Sequence, residues 1–189
     1  EILERLPKMD AVLIGPGLGQ SEGTYAVVKA VLENAQCPVV LDADGINLTA
    51  AHKDILRGRV YPTVLTPHDG EFARIGGILT ENRMESAARL ARDLHSIILL
   101  KGHKTCITDG VTGYVNTTGN PGMAVGGTGD VLAGMIAGLC AQGFEVFKAA
   151  YAGVYLHGAA GDRARDIYGT HGMTASNIAE QIHMEQIAE

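Results

Sequence analysis

The chain reads as an α/β protein, with a mostly parallel sheet and helices on both faces. Three observations predict this. Short apolar runs alternate with longer segments of helical character along the whole sequence. Glycine-rich motifs follow the apolar runs, which gathers them at one edge of a parallel sheet. The 189 residues contain no internal repeat and no low-complexity linker, so residues 1–189 read as one domain with room for a sizeable core.

The opening EILERLP reads as the tail of a helix already under way. Asp10 to Ile14 predicts a buried strand. GPGLG at 15–19 follows, ahead of a helix expected over 21–35. The loop lacks the G-x-G-x-x-G spacing of a dinucleotide fingerprint. It suits a tight strand-to-helix turn or, from its place at the carboxyl edge of the sheet, a ligand loop. Pro38 to Leu41 predicts a second strand, running into Asp42-Ala43-Asp44-Gly45-Ile46-Asn47. Two carboxylates so spaced at a strand end can hold a magnesium ion through water or position a hydroxyl. The same residues suit an Asx-turn cluster capping a short helix. Asp44 and Asn47 are the better ligand candidates, because they lie past the strand end.

Thr63 to Thr66 predicts a third strand. Pro67 fits a first helical position, and His68 and Glu71 are three apart, so both can share a helix face. Glu81 to His95 is amphipathic and helical, and Ser96 to Leu100 predicts a buried strand. Lys101-Gly102-His103-Lys104-Thr105 follows at its end, as a phosphate contact or as a solvated loop. Thr105–Thr108 and Gly113–Asn116 flank Asp109-Gly110, a strong hairpin signal. Beyond the central glycine stretch, helices are expected over 145–167 and 174–188.

The central stretch, Gly119 to Gly138, is GNPGMAVGGTGDVLAGMIAG. Gly126, Gly127 and Gly129 around Thr128 permit positive φ and leave no Cβ between backbone and ligand. Successive N–H groups can then face one concavity at the positive end of the following helix. Val131 to Cys140 carries no charge and predicts a buried helix. Asp130 at its mouth is either a helix cap or a general base acting on a hydroxyl beside a nucleotide phosphate.

Composition narrows the field. Hydrophobic residues make up 46% and charged residues 19%, as in globular domains. The net charge is −6 and no basic run is present, which argues against nucleic acid as a partner. Cys37, Cys106 and Cys140 lie in or beside apolar runs without a C-x-x-C pair. They read as buried free thiols in a reducing, cytoplasmic setting. No segment has the roughly 18 uncharged apolar residues of a membrane span, and no signal peptide is recognisable. The other histidines show no metal-ligand spacing, so no zinc site and no protein-built metal site is expected.

GNPGMAVGGTGDVLAG resembles the signature of the ADP- or ATP-dependent NAD(P)H-hydrate dehydratases, a branch of the ribokinase-like superfamily. GPGLG at 15–19, LDADGIN at 41–47, LTPHDGEFARI at 65–75 and LLKGHKT at 99–105 agree in order and spacing. Departures fall at Asp69, where the family usually has Pro, and at Val125. The resemblance implies a ribokinase-like three-layer αβα fold, lacking βα units that the family carries ahead of this point. It also implies repair of hydrated NADH and NADPH, with ADP or ATP and Mg2+. Asp130 would be the catalytic base. Gly17, Gly19, Asp44, Asn47, His68 and Glu71 would meet the substrate with Asp130. Lys101, Gly102, His103, Lys104, Thr105, Gly126, Gly127, Thr128 and Gly129 would hold the nucleotide. A homo-oligomer, commonly a tetramer, is implied as well. The alternatives are a kinase of a vitamin or sugar alcohol on the same fold, and a catalytically inert nucleotide-binding subunit.

Overall fold

The computed structural model describes residues 1–183. Its strands are β1 (Val12–Ile14), β2 (Val39–Leu41), β3 (Thr63–Leu65), β4 (Ile97–Leu100), β5 (Cys106–Thr108) and β6 (Gly113–Val115). They form one sheet in chain order. β1 to β4 pair in parallel, and β4, β5 and β6 pair antiparallel. The parallel strands are joined by the helical crossovers that parallel pairing requires. Those helices are α2 (Glu22–Asn34), α3 (Asp44–Thr49), α4 (Asp54–Arg57), α5 (Asp69–Arg74) and α6 (Arg83–Leu94). α1 (Ile2–Arg5) precedes them, and α7 (Thr128–Ala141), α8 (Val146–Tyr168) and α9 (Ala175–Glu180) follow the hairpin.

Alternate residues of each strand enter two different cores. Val39, Leu41, Leu65, Ile98 and Leu100 pack with α2, α5 and α6 through Val28, Leu32, Phe72, Leu90 and Leu94. Val40, Val64, Ile97 and Leu99 pack with α7 and α8 through Leu132, Ile136, Leu139, Ala150 and Val154. This is a three-layer αβα arrangement, with helices on both faces of the sheet. It explains why the strands are apolar throughout: both faces are covered. Each fully buried Leu or Ile here contributes about 1.5–3 kcal/mol.

The structure corrects several expectations. The opening residues are helical as expected, in the single turn α1 and a 3-10 turn at Leu6–Lys8, but other segments differ. Pro67 is not a first helical residue; it precedes His68, which caps α5. α7 is not buried all round. Asp130, Gly134, Gly138 and Ala141 form an exposed stripe, while Leu132, Ala133, Ile136 and Leu139 face the core. Beyond Asp130 the stripe is glycine and alanine, without charge, so composition alone hid it. The helix expected over 174–188 ends at Glu180, and its last part lies outside the described residues.

The chain from Thr118 to Met123 lies directly on α8. A Cβ added at Gly158 would stand 2.8 Å from the Thr118 carbonyl carbon and overlap Thr118 Oγ1. At Gly134, on the open stripe of α7, a Cβ would meet nothing within 4 Å. Gly158→Ala is therefore expected to destabilise by about 1–3 kcal/mol through overpacking. Gly134→Ala should stabilise by about 0.5–1 kcal/mol through helix propensity. Denaturant unfolding of the two variants measures the difference, and equal effects would contradict this packing.

Candidate active site

The loops after β1, β2, β3 and β4 leave the same edge of the sheet, and the start of α7 meets them there. Gly17 and Gly19 lie in the first loop, at φ 65° and 75°. That loop is fastened to the second. The Gly19 amide donates to Asp44 Oδ2 at 2.8 Å, and Gln20 Nε2 donates to Asp44 Oδ1 at 2.8 Å. The Gln20 bond, and after it the Gly19 bond, hold the Asp44 carboxyl below its ordinary range. The backbone at Ala43, φ 48° and ψ −119°, is an uncommon geometry for a residue with a Cβ. Asp42 and Asp44, on either side of it, bond to different partners, so the two carboxylates do not act as one pair.

Asp42 is the buried member, 1% exposed. A carboxylate so placed needs partners. Thr66 Oγ1 donates to Asp42 Oδ1 at 2.7 Å, and Lys101 Nζ donates to the same oxygen at 2.9 Å. Lys101 Nζ also stands 4.0 Å from Glu71 Oε2. A Cβ built on Gly129 would be 3.4 Å from that ammonium, so Lys101 lies against the first turn of α7. The ends of β2, β3 and β4 are thereby tied to α5 and placed beside the glycine loop.

His68 and Glu71 do not simply share a helix face; they close a capping box on α5. His68 Nδ1 accepts from the Gly70 amide at 2.9 Å, and Glu71 Oε2 accepts from the His68 amide at 2.9 Å. With Nδ1 accepting, the proton of the neutral ring belongs on Nε2. Glu71 is 5% exposed, whereas the His68 ring opens to solvent. Asn47 Oδ1 accepts from the guanidinium of Arg74. Asp69 stands at the first position of α5, where Pro is favoured and an acidic residue also suits the helix dipole. It pairs with Arg83 at 2.8 Å, and Arg83 in turn donates to the Lys101 carbonyl at 2.9 Å.

Of the three glycines in the central loop, only Gly127 takes a positive φ, 89°, as the N-cap of α7. No side chain caps this helix. Asp130 is its third residue rather than its cap. Its exposed carboxylate has no hydrogen bond or ion pair with any described residue. Thr128 Oγ1 donates back to the Met123 and Val125 carbonyls at 3.0 and 2.9 Å, which closes the loop on itself. The Gly126 position faces open space. After β4, Thr105 is buried and its hydroxyl donates to the Gly102 carbonyl at 3.0 Å. Gly102, His103 and Lys104 are exposed, and His103 and Lys104 are not drawn into the Lys101 cluster.

Sequence reasoning ranked Asp42 below Asp44 and passed over Thr66 and Arg74. The signal for Asp42 was its position directly after an all-buried strand, where a carboxylate requires a partner. Arg74 had no such signal, because its partner is 27 residues away in sequence. No group of three or more His, Cys, Asp or Glu among the described residues forms a metal cage. A magnesium that arrives with nucleotide phosphates needs only one or two carboxylates besides phosphate and water. The partly exposed Asp44 carboxylate at this edge fits that modest demand, through water. A cavity of about 460 Å³, lined by Leu32, Ala35, Arg59 and Tyr61 among others, includes none of the site residues. The three cysteines are buried free thiols, and burial raises Cys140 to about 11.

Comparison with known proteins adds independent findings. The family model described as NAD(P)H-hydrate dehydratase matches residues 1–184. The bifunctional NAD(P)H-hydrate repair enzyme of Moorella thermoacetica is 46% identical over 185 residues, covering 95% of this chain and 35% of that protein. The ADP-dependent (S)-NAD(P)H-hydrate dehydratase of Neisseria meningitidis serogroup B is 37% identical over 187 residues, covering 94% of this chain and 63% of that protein. The crystal structure of the ADP/ATP-dependent NAD(P)H-hydrate dehydratase from Bacillus subtilis, co-crystallized with ATP/Mg2+ and soaked with CoA, superposes with a TM-score of 0.81. It is 36% identical, over 92% of this chain and 64% of that one. The chain therefore spans about a third of the Moorella protein and under two thirds of the other two. With its strand-end motifs and glycine loop gathered at one edge of a ribokinase-like sheet, the chain belongs to the NAD(P)H-hydrate dehydratase family.

Proposed function

We propose that this chain carries the catalytic site for nucleotide-dependent dehydration of hydrated NADH and NADPH. The observation that carries the reading is the Asp130 carboxylate, which has no partner among the described residues and stands one residue past the glycine loop, beside Gly129, against which Lys101 lies. The reaction needs a base at a ring hydroxyl and an anion hole at the phosphoryl group it attacks. Asp130 takes the proton of the 6-hydroxyl. The hydroxyl oxygen then bonds to the terminal phosphorus of the nucleotide, and the bond to the leaving phosphate oxygen breaks. Amides of 126–129, at the positive end of α7, hold the charge on the transferred group. The Lys101 ammonium adds positive charge at the same turn. The C6–O bond then breaks, phosphate departs, and loss of the C5 proton restores the dihydropyridine.

Gly17, Gly19, Asn47 and His68 would line the hydrated ring's side of the edge, with Asp44 and Glu71 holding the loops that carry them. Gly102 to Thr105 would follow the nucleotide. Magnesium, bound with the nucleotide, neutralises phosphate charge. The ADP-dependent Neisseria relative and the ADP/ATP-dependent Bacillus relative favour ADP or ATP as the phosphoryl donor. No helix among the described residues is long and apolar enough to cross a membrane, and buried free thiols suit a cytoplasmic setting. Incubation with ADP and hydrated NADH should return the absorbance of NADH, and no return with either ADP or ATP would overturn the reading.

Asp130→Asn separates base from structural residue. Asp130 is not the cap, so the variant should melt as the parent does. An amide takes up no proton near neutral pH. Turnover should fall by about 10²–10⁴-fold, with the affinity for hydrated NADH little changed. Turnover within a few-fold of the parent would remove Asp130 from the chemistry.

Lys101 and His68 should divide the ligands between them. Lys101→Gln keeps a donor for Asp42 but removes the charge, and should weaken the nucleotide. His68→Ala should weaken the hydrated dinucleotide. A lost charge-assisted hydrogen bond costs about 1.5–3 kcal/mol. Titrations in which both variants weaken only the nucleotide would refute the division.

A homo-oligomer, with the tetramer as its leading form, is part of the same proposal. The open stripe of α7 and the exposed Tyr151 and Tyr155 of α8 support pairing through helices. Light scattering at micromolar concentration should give a multiple of the chain mass; a monomer mass rejects it.

A further inference from the structure

Arg83 is the first residue of α6, a helix that Asn82 caps by accepting from the Glu85 amide at 3.0 Å. A cation at this end opposes the helix dipole, so the stability of α6 does not account for its placement. The guanidinium instead reaches two motifs of the site. Nη1 and Nη2 donate to the two Asp69 carboxylate oxygens at 3.1 and 2.8 Å, and Nη2 also donates to the Lys101 carbonyl at 2.9 Å. Nε is buried and has no hydrogen-bond partner among the described residues. An arginine free in solvent would satisfy that donor with water. The side chain thus holds a pose that serves its forked end at the expense of its stem.

The groups it joins belong to different sides of the site. Asp69 directly follows His68 at the start of α5. Lys101 opens the turn that follows β4. Two other parts of Lys101 are already fixed: its amide donates to the Pro67 carbonyl at 2.8 Å, and its ammonium donates to Asp42 at 2.9 Å. Arg83 fixes the third, the carbonyl. The peptide unit is planar and trans, so the Gly102 N–H points opposite to the Lys101 C=O. By holding that carbonyl, Arg83 sets the direction of the Gly102 amide. Gly102 is exposed, and its N–H has no partner among the described residues. The Gly102 carbonyl is already taken by Thr105 Oγ1 at 3.0 Å. Glycine suits the contact as well as the backbone: φ is 152°, and a Cβ would stand 2.9 Å from Arg83 Nη2.

We infer that Arg83 is a positioning residue for the nucleotide: its guanidinium, braced by Asp69, clamps the Lys101 carbonyl and so presents the Gly102 N–H to a nucleotide phosphate. The clamp stands on the contacts alone; the arrival of phosphate at this amide rests on the proposed function. Arg83→Met keeps the apolar stem and removes every donor. Arg83→Lys restores the charge and a donor for the carbonyl. Asp69→Asn leaves the guanidinium and weakens its brace. ADP with magnesium is titrated by calorimetry into the parent, the three single variants and the Asp69→Asn, Arg83→Met double variant. Melting temperature and the kinetics of NADH recovery are measured on the same proteins.

Arg83→Met should raise the ADP dissociation constant about tenfold, as for one charge-assisted hydrogen bond. Arg83→Lys should recover most of that loss. Asp69→Asn should weaken ADP about threefold alone and add nothing to Arg83→Met, because both act through one contact. KM for hydrated NADH should stay within about threefold of the parent throughout. Unchanged ADP binding in Arg83→Met overturns the inference. So does a lysine variant no better than methionine, or an equal loss for hydrated NADH, since either marks a general disturbance of the fold. A parent that binds neither ADP nor ATP overturns the inference together with the proposed function. A parent that binds ADP but recovers no NADH, with the variants ranked as above, leaves the clamp standing and shows the reaction to be wrong.

Discussion

The ion pair between Lys101 and Asp42 is the contact on which the site depends. Its 2.9 Å bond joins the ends of β2 and β4, and Thr66 brings in the end of β3 through the same carboxylate oxygen. Such a pair is weak evidence for stability, because taking both charges out of water costs as much as their attraction returns. Its importance is positional. Removing one partner strands a buried charge, at a cost of about 3–5 kcal/mol. While the pair is intact, it places an ammonium beside Gly129 and keeps Glu71 within 4.0 Å, so three loops are held together.

The anion loop is held from the other side by different means. α8 supplies glycines for close approach, carbonyls, and the Asp162 carboxylate, while Thr128 closes the loop on itself. The loop therefore sits between a charged cluster at the sheet edge and a polar floor on the last long helix. Asp130 projects from this support without a partner among the described residues, which leaves its lone pairs for a ligand. Groups held rigidly around the place where charge develops need no rearrangement during the reaction.

Much of this was legible in the sequence. Both-face burial writes strands as unbroken apolar runs, so β1 to β4 and the hairpin around Asp109-Gly110 could be placed to within a few residues. The glycine loop and Asp130 were legible because their residue types have few other uses together. What was not legible depends on side-chain direction. Asp42 and Asp44 look equivalent as a pair, yet Asp42 bonds within the buried cluster and Asp44 fastens the first loop. His68 looks like a ligand and is also a helix cap. The bare stripe on α7 escaped because glycine reads as uncharged whether it faces the core or solvent.

The central claim is that one edge of the sheet places a phosphoryl group against the start of α7 and a ring hydroxyl against Asp130. A crystal structure with ADP, magnesium and an unreactive analogue of the hydrated ring measures this most directly. The account predicts the terminal phosphate within hydrogen-bonding distance of amides in 126–129, and the analogue's hydroxyl on the Asp130 carboxylate. A phosphate bound instead at the 15–19 loop, or a ring hydroxyl remote from Asp130, would contradict it.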